Sequence, residues 1–437
     1  MSGYAEYREV NLPWLKAVPA HWEIRRNKNI FTEQKEIVGE RSADYTLLSL
    51  TLNGIIPRDM DGGGKFPESF DKYKIVKNGD MVFCLFDIDE TPRTVGLSGY
   101  NGMLTGAYTI MRVSNINARF IYYYYLALDN GKMLRPLYTG LRKTININTF
   151  QSTKVPVPPR EEQDQIVRFL DWKVSSINKM IAIKEKRRSL IFDLIQLYLF
   201  SDDASQFSIG RIENAFPKNW EFIKAKHIFS ERKEKGHTEE ELLAVTQDKG
   251  VVFKKDCDNH YVQPSNLEDQ KLVCPGDFII SLRSFQGGIE HSRIKGLVSA
   301  AYTVMELSPA YSHIEEYYGF LFKSKPFIQY LNSCVNDIRD GKKIDYKDFR
   351  DCSLPIPPIS TLEKINALGK EYDNATEELN RYATLLRELR MCIISDAVTG
   401  KIDVRGIEIP EYEFVDEDAD NVDENLEQGA DEPPEEE

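Results

Sequence analysis

A long internal repeat constrains the fold of this chain more than any other feature. Four blocks of the first half recur in the same order in the second half. Trp22 and Trp220 stand 198 residues apart in matching blocks, and Gly79-Asp80 recurs as Gly276-Asp277 after 197 residues. The other two pairs are Gly106–Met111 with Ala300–Met305, 194 apart, and Val155–Pro159 with Leu354–Pro358, 199 apart. This period is far too long for a solenoid, so it predicts two tandem copies of one globular unit.

The first part of each copy mixes short strand-like runs with helical stretches. Met81–Phe86 and Phe278–Leu282 are rich in residues that favour strands. Helical patterns interrupt them at Arg119–Leu128 and Ile314–Lys323. The mixture predicts a mixed α/β (α+β) domain with a small curved sheet in each copy.

The second part of each copy is predicted to be one long helix. Ser360–Glu363 forms a capping-box pattern, and apolar residues then follow at steps of three and four over about four heptads. The predicted seam residues are Ile166, Leu170, Ile177, Ile181, Leu194, Ile365, Leu368, Tyr372, Leu379, Leu386 and Leu389. The stripes favour a coiled coil over a helix lying on a globular core. The most economical arrangement packs the two helices antiparallel and relates the two domains by a pseudo-two-fold axis.

These patterns divide the chain into five segments. The first domain is expected over 1–158 and its helix over 159–200, and the second domain over 201–357. The second helix and a C-terminal segment follow over 358–410, and an acidic tail over 411–437.

The net charge of −13 comes almost entirely from this tail. Residues 411–437 hold 14 acidic residues and no Lys or Arg, so residues 1–410 sum to +1. A near-neutral average can hide basic faces, and charge therefore neither supports nor excludes nucleic acid as a partner. The tail has few aromatic residues and is expected to be disordered.

Other features point to a cytoplasmic protein without a metal centre. The six cysteines and six histidines are dispersed, so a structural zinc site is not expected and a reducing compartment is. The apolar runs are too short for a membrane span, and Met1–Val10 has no apolar signal core.

Motifs of the common enzyme classes are missing. The glycine run Gly62–Lys65 lacks the frame of a phosphate loop. Glu33–Lys35 and Glu231–Lys233 resemble half of a metal nuclease centre, but neither has a convincing Asp on an adjacent strand, and solvated helix faces explain them better. We therefore expect no catalytic residues in this chain.

Several loops carry side chains suited to DNA. Leu282–Gly288 places Arg283, Ser284 and Gln286 in a glycine-flanked loop, and its counterpart Asp87–Val95 holds Arg93 and Thr94. Such side chains can form bidentate hydrogen bonds with bases in the major groove. The remaining candidate DNA contacts, mostly suited to phosphates, are Arg58, Lys65, Arg142, Lys143, Arg293, Lys342 and Lys343. Ordinary surface charge is the alternative for each of them.

The whole pattern resembles the specificity (S) subunits of type I restriction–modification systems. The resemblance rests on the paired domain-plus-helix plan, on Leu282–Gly288 and on Val155–Gln163. The segment Ile394–Val404, with its Val-Thr-Gly-Lys-Ile-Asp signature, is similar to the end of such chains. The resemblance covers residues 15–405, and the second proline block departs from it where Ile359–Glu363 replaces the Arg-Glu-Glu-Gln form.

The resemblance implies a non-catalytic DNA-binding subunit. Each domain would be a target recognition domain for one half of a bipartite, asymmetric site. The helices would set the spacing and dock two methylation subunits, and two restriction subunits would join them. S-adenosylmethionine, ATP and Mg would bind those partners, which methylate adenine and cleave DNA, and this chain would bind no cofactor directly.

Two other functions fit the sequence. One is the same role in a related system whose partner fuses methylase and nuclease. The other is a coiled-coil adaptor that binds proteins and not DNA; the duplicated helices fit it equally well, but the basic glycine loops fit it less well.

Overall fold

A computed structural model describes most of the chain. The described residues are 2–58, 69–138, 143–200, 212–218, 220–247, 249–257, 266–282, 284–334 and 344–415. None of the helices within these ranges is long and apolar enough to cross a membrane.

The strands of the first copy come in the same order as those of the second. The first copy contains β1 (Tyr7–Leu12), β2 (Leu15–Pro19), β3 (Glu23–Arg26), β4 (Phe31–Gln34), β5 (Leu48–Thr51), β6 (Gly54–Pro57), β7 (Lys74–Val76), β8 (Asp80–Phe83), β9 (Val95–Leu97), β10 (Gly102–Leu104), β11 (Thr109–Val113) and β12 (Lys154–Val157). The second copy contains β13 (Glu221–Lys224), β14 (Phe229–Arg232), β15 (Leu243–Thr246), β16 (Gly250–Phe253), β17 (Lys271–Val273), β18 (Phe278–Ile280), β19 (Glu290–His291), β20 (Gly296–Val298), β21 (Thr303–Leu307) and β22 (Ser353–Ile356).

The sheets repeat the same topology. A four-stranded antiparallel sheet has the order β4-β11-β8-β9 in the first copy and β14-β21-β18-β19 in the second. The small pairs match as well: β5-β6 with β15-β16, β7-β10 with β17-β20, and β3-β12 with β13-β22. The duplication seen in the sequence is therefore a duplication of the fold.

Short helices cover each sheet, and one long helix ends each copy. The helices are α1 (Ala118–Asn130), α2 (Ile147–Ser152), α3 (Arg160–Leu199), α4 (Ser284–Gly287), α5 (Glu315–Leu321), α6 (Lys325–Ser333), α7 (Tyr346–Phe349) and α8 (Ile359–Val398). The prediction of mixed α/β copies that end in long helices is confirmed.

The chain forms two compact units, and each unit takes half of each long helix. The first unit comprises Met1–Ile183 with Asn380–Glu437, and the second comprises Lys184–Leu379. The core of the first unit centres on aromatic residues of the sheet, α1 and α2, among them Phe83, Tyr125 and Phe150 respectively. The second core repeats this with Phe229, Phe278 and Phe322.

The two long helices contact each other within each unit. In the second unit Arg187 Nη1 of α3 lies 3.0 Å from Glu378 Oε2 of α8. Lys364 Nζ lies 5.1 Å from the ring centroid of Tyr198. Residue numbers rise along one helix as they fall along the other, so the pairing here is antiparallel. In the first unit, Arg390 of α8 donates to Asn178 of α3.

Most predicted seam residues are buried, but two are not. Ile166, Leu170, Ile177, Ile181, Ile365, Leu379 and Leu386 are buried, and Leu368 and Tyr372 are partly buried. Leu194 and Leu389 were predicted wrongly: they are 47% and 48% exposed, and Ile195 and Ile394 are buried near them. A helix has 3.6 residues per turn, so a straight helix drifts away from a strict 3.5-residue stripe towards its end.

The residues that follow the two proline blocks differ, and the first block is followed by an acidic residue with a structural role at the start of α3. The buried carboxylate of Glu162 accepts hydrogen bonds from Tyr4 Oη at 2.6 Å and Trp22 Nε1 at 2.8 Å, and His21 Nε2 lies 2.7 Å from it. Thr361 follows the second block where Glu162 follows the first. The acidic residue thus ties the N-terminal strands to α3 in the first unit.

The predicted disordered tail does not begin at Glu411. The Ser175 hydroxyl donates to the carbonyl of Glu413 and accepts from the amide of Val415, and the Asn178 amide donates to the carbonyl of Val415. The Arg119 guanidinium also lies over the ring of Phe414. These contacts hold residues 411–415 on α3, which corrects the expected boundary; residues 416–437 lie outside the described ranges.

Candidate nucleic-acid interface

In the second copy, the glycine loop singled out in the sequence lies against a β-hairpin. The hairpin is formed by β15 and β16, and the loop contains the single turn α4. A Cβ at Gly287 would stand 2.6 Å from Cγ of Gln247 at the hairpin tip, so a larger residue here would displace the Gln247 side chain. Gln247, Lys249 and Gln286 are exposed on this surface. It therefore offers amide and ammonium groups of the kind that contact bases and phosphates.

The first copy has the same hairpin, formed by β5 and β6. The Thr51 hydroxyl donates to the Gly54 carbonyl at 3.0 Å, and the Thr246 hydroxyl donates to the Gly250 carbonyl at 3.0 Å. Thr51 and Thr246 are therefore equivalent, and the turn of the second copy is one residue longer. The tip of the first hairpin exposes Leu52 and partly exposes Asn53.

A buried carboxylate and a cation lie behind the first hairpin. The Arg93 guanidinium donates to Asp129 Oδ2 at 3.1 Å and to Asn130 Oδ1 at 2.9 Å. It also donates to the carbonyl oxygen of Leu52 at 3.3 Å. The Asp129 side chain is 1% exposed, and it accepts further bonds from Thr94. Arg93 was predicted to contact DNA, but its guanidinium donates hydrogen bonds to groups within the protein.

The second hairpin also has a cation behind it. The Lys323 ammonium pairs with the buried carboxylate of Glu290. It also donates to the carbonyl oxygen of Gln247 at 3.3 Å. The tip of each hairpin is therefore bonded to a cation that neutralises a buried acid.

Two predicted DNA contacts are buried and need correction. The Thr94 hydroxyl donates to Asp129 Oδ1 at 2.7 Å, and Thr94 is 2% exposed. The Ser284 hydroxyl accepts from the amide of Ser281 at 2.8 Å, and Ser284 is 1% exposed. Both side chains shape their loops from the inside and cannot reach a duplex, whereas Gln286 in the same loop is exposed.

Two further predicted contacts are held by acidic neighbours. A hydrogen bond to Glu90 raises the pKa of Lys143, which also lies near Asp89. Burial works against the charge on Arg293, but the carboxylates of Glu316 and Asp373 raise its pKa. Both cations would have to give up these partners to bind phosphate.

The other predicted contacts divide into one described residue and five others. Arg58 follows β6, and its amide donates to the Leu47 carbonyl at 2.9 Å, as the amide of Lys254 does to Leu242 in the second copy. The other five lie outside the described residues: Lys65, Arg142, Arg283, Lys342 and Lys343.

One group of possible metal ligands occurs among the described residues. The ligand atoms of His291, Glu315 and Glu316 lie within 4.8 Å of one another. His291 Nε2 is 2.8 Å from Glu315, and both Glu316 oxygens accept from Arg293 at 2.8 Å. Because Arg293 already occupies both Glu316 oxygens and His291 contacts Glu315, an ion-pair network that ties β19 to α5 explains the group better than a metal site.

Comparison with known proteins finds similarity to one family. The model of the type I restriction modification DNA specificity domain matches residues 63–190. The MjaX type I restriction enzyme specificity subunit of Methanocaldococcus jannaschii is 23% identical over 89% of this chain and 95% of its own length. The MjaVIII specificity subunit of the same organism is 23% identical over 92% and 98%. The chain is therefore similar to type I specificity subunits over nearly its whole length.

Solved structures also align with this chain over most of its length. A chain from a study of assembly and conformational transition of a type I R-M system aligns over 88% of this chain and 99% of its own length, with 12% identity and a TM-score of 0.47. The HsdS subunit of Thermoanaerobacter tengcongensis aligns over 90% and 100%, with 14% identity and a TM-score of 0.35.

The sequence patterns did not predict this hairpin in either copy. A weak signal was present in the first copy, where the Asn53-Gly54 dipeptide, typical of tight turns, lies between two strand-like runs; in the structure Leu52 and Asn53 form the turn and Gly54 begins β6. The second copy has Gln247 to Gly250 at this place, and only the shared Thr51 and Thr246 would have aligned the two turns.

The long helices of this chain also expose apolar side chains. In the second unit Leu190, Leu194 and Leu197 of α3 follow one another at helical spacing and are exposed. In the first unit Leu385 and Leu389 of α8 are exposed. Contiguous exposed apolar residues of this kind mark sites for other proteins.

Proposed function

We propose that this chain is the DNA-reading subunit of a type I restriction–modification complex. Each copy reads one half of a bipartite, asymmetric site, and the long helices set the distance between the halves. Partner subunits methylate adenine and cleave the DNA at the direction of this chain, which itself performs no catalysis. The complex acts on DNA in the cytoplasm.

The observation that carries the proposal is the duplicated hairpin. Both copies present a hairpin tip beside a loop, and each tip is fixed from behind by a cation and a buried acid. A protein-binding adaptor does not need two equivalent polar tips of this kind. Two readers of unlike half-sites do need them, with the same scaffold and different exposed side chains, such as Asn53 in one copy and Gln247 with Lys249 in the other.

Two equivalent exposed leucines support two methylation subunits. Leu190 lies 30 residues after Arg160, the first residue of α3, and Leu389 lies 30 residues after Ile359, the first residue of α8. Both leucines are about half exposed, at 50% and 48%. Because the duplication generates the same apolar site twice, we propose one methylation subunit at each, and two restriction subunits that join the complex through them.

The cofactors of the reaction belong to the partners in this proposal. S-adenosylmethionine is bound by the methylation subunits, and ATP and Mg by the restriction subunits. The contribution of this chain is the position of the target adenine relative to those partners.

Binding of labelled duplexes, measured with the methylation subunit present, tests the proposal. Affinity for a duplex that contains the site should exceed that for a scrambled duplex and should fall steeply as salt is raised from about 50 to about 200 mM, because phosphate contacts release counterions. The isolated chain should bind weakly. Equal affinity for both duplexes, or binding that salt does not change, would favour the adaptor. A partner that carries both methylase and nuclease domains would indicate the related fused system.

A further inference from the structure

Each hairpin is held by an ion pair at the same place in the fold. The cation and the acid exchange positions between the two copies. We propose that Arg93 and Lys323 are positioning residues that set the base preference of the first and second half-sites respectively, by holding the hairpin tips. The inference rests on the proposed function of DNA reading. In this proposal each hairpin contacts the bases, and Arg93 or Lys323 holds it in position.

The bonded group is the same in both copies. Leu52 directly follows Thr51, and Gln247 directly follows Thr246, the two threonines that close their turns. Arg93 donates to the Leu52 carbonyl and Lys323 to the Gln247 carbonyl, both at 3.3 Å. In each copy the cation therefore holds the first carbonyl of the turn.

The polarity of the pair is reversed between the copies. In the first copy the cation, Arg93, comes from the strand side, two residues before β9, and the acid, Asp129, comes from the C-terminal end of α1. In the second copy the acid, Glu290, comes from β19, the counterpart of β9, and the cation, Lys323, lies just after α5. The sequences of the two copies differ here, yet the bond to the turn is retained.

Two different residue pairs keep the same bond to the turn carbonyl, which indicates that the turn has to be held in place. A buried carboxylate is costly without a cation, so the cation is fixed by the acid and can in turn fix the turn carbonyl. Base readout needs side chains held in a defined place, because bidentate hydrogen bonds tolerate little displacement. The positions of Gln247 and Lys249 depend on where that carbonyl lies, and the same holds for Asn53 in the first copy.

Methylation of a randomised site library by the complex of this chain with its methylation subunit tests the proposal. Lys323→Met should reduce base discrimination at positions of the second half-site by about tenfold, the scale of one lost bidentate contact. The first half-site should keep its preference. Arg93→Met should give the reverse result. Lys347→Met removes an exposed lysine of α7 in the same domain and should change neither half-site.

Two companion variants separate positioning from folding. Lys323→Gln with Glu290→Gln removes both charges, so no buried carboxylate loses its cation, but the shorter amide cannot reach the Gln247 carbonyl. This pair should relax the second half-site even where the melting temperature is kept. Lys323→Arg should retain the wild-type preference.

The outcomes distinguish the inference from the proposed function. A uniform loss of methylation with unchanged base preference, or relaxation of both half-sites by one variant, would overturn the positioning role. A wild-type complex without any sequence preference would instead overturn the proposed function itself.

Discussion

At the scale of single residues, the Cys334 thiol is unusual. It lies at the C-terminal end of α6, and hydrogen bonds from the thiol of Cys352 and the hydroxyl of Tyr330 lower its pKa to about 7. The hydrogen bond with Cys334, together with burial, raises the pKa of Cys352. Cys334 should therefore be a thiolate over part of the neutral range, whereas Cys352 stays protonated.

We predict that iodoacetamide labels Cys334 with a rate that rises as the pH passes through about 7, because the thiolate is the reactive form. Cys352→Ala should move this rise to higher pH, because it removes the thiol that donates to the Cys334 thiolate. Mass spectrometry of labelled peptides over pH 5–9 measures both. Cys392 is exposed and serves as the internal control. Labelling of Cys334 that begins only at the pH of an ordinary thiol would contradict the described contacts.

Other residues show what a sequence cannot decide. Ser284 and Gln286 stand two positions apart in one loop, yet one side chain faces the interior and the other is exposed. Both are polar and both suit DNA, so their residue types could not separate them. Likewise, Arg93 has the chemistry of a base contact, and only the fold reveals that Asp129 and Asn130 already accept its donors.

At the scale of elements, the long helices were predictable and their exact faces were not. The apolar stripe gave the existence of α3 and α8 because tertiary packing of such a stripe is what stabilises a long helix. Burial follows the true 3.6-residue turn, and this places Leu386 in the seam but Leu389 outside it.

Leu386, which is buried, and Leu389, which is exposed, form a matched pair for mutation. Leu386→Ala removes a buried side chain and should lower the free energy of unfolding by about 2–5 kcal/mol. Leu389→Ala, three residues further along α8, should leave thermal stability nearly unchanged but weaken capture of the methylation subunit. Differential scanning calorimetry and a pull-down with the methylation subunit measure the two effects.

Two results would contradict this assignment. If Leu389→Ala destabilised the chain as much as Leu386→Ala, the exposed face would be part of the folded interior. If Leu389→Ala and Leu190→Ala together left partner capture intact, these leucines would not be the docking sites.

At the scale of the whole molecule, the repeat was the most informative part of the sequence. Four short matching blocks were enough to predict that the two halves share a fold, and the matching sheet orders confirm it. The predicted domain boundaries stay predictions, because the compact units take half of each long helix and do not follow the order of the chain. A linear sequence does not show that α3 and α8 each contribute to both units.

The central claim is that two independent readers are joined by helices that fix their spacing. Exchange of residues 213–350 for the corresponding domain of another specificity subunit tests it most directly, with mapping of methylated adenines in genomic DNA of cells that carry the chimera and its partners. The account predicts that the half-site read by the second copy changes, whereas the other half-site and the spacer between them stay as in the parent, because the first domain and both long helices are untouched. A chimera that altered both half-sites, or the spacer length, would contradict the account.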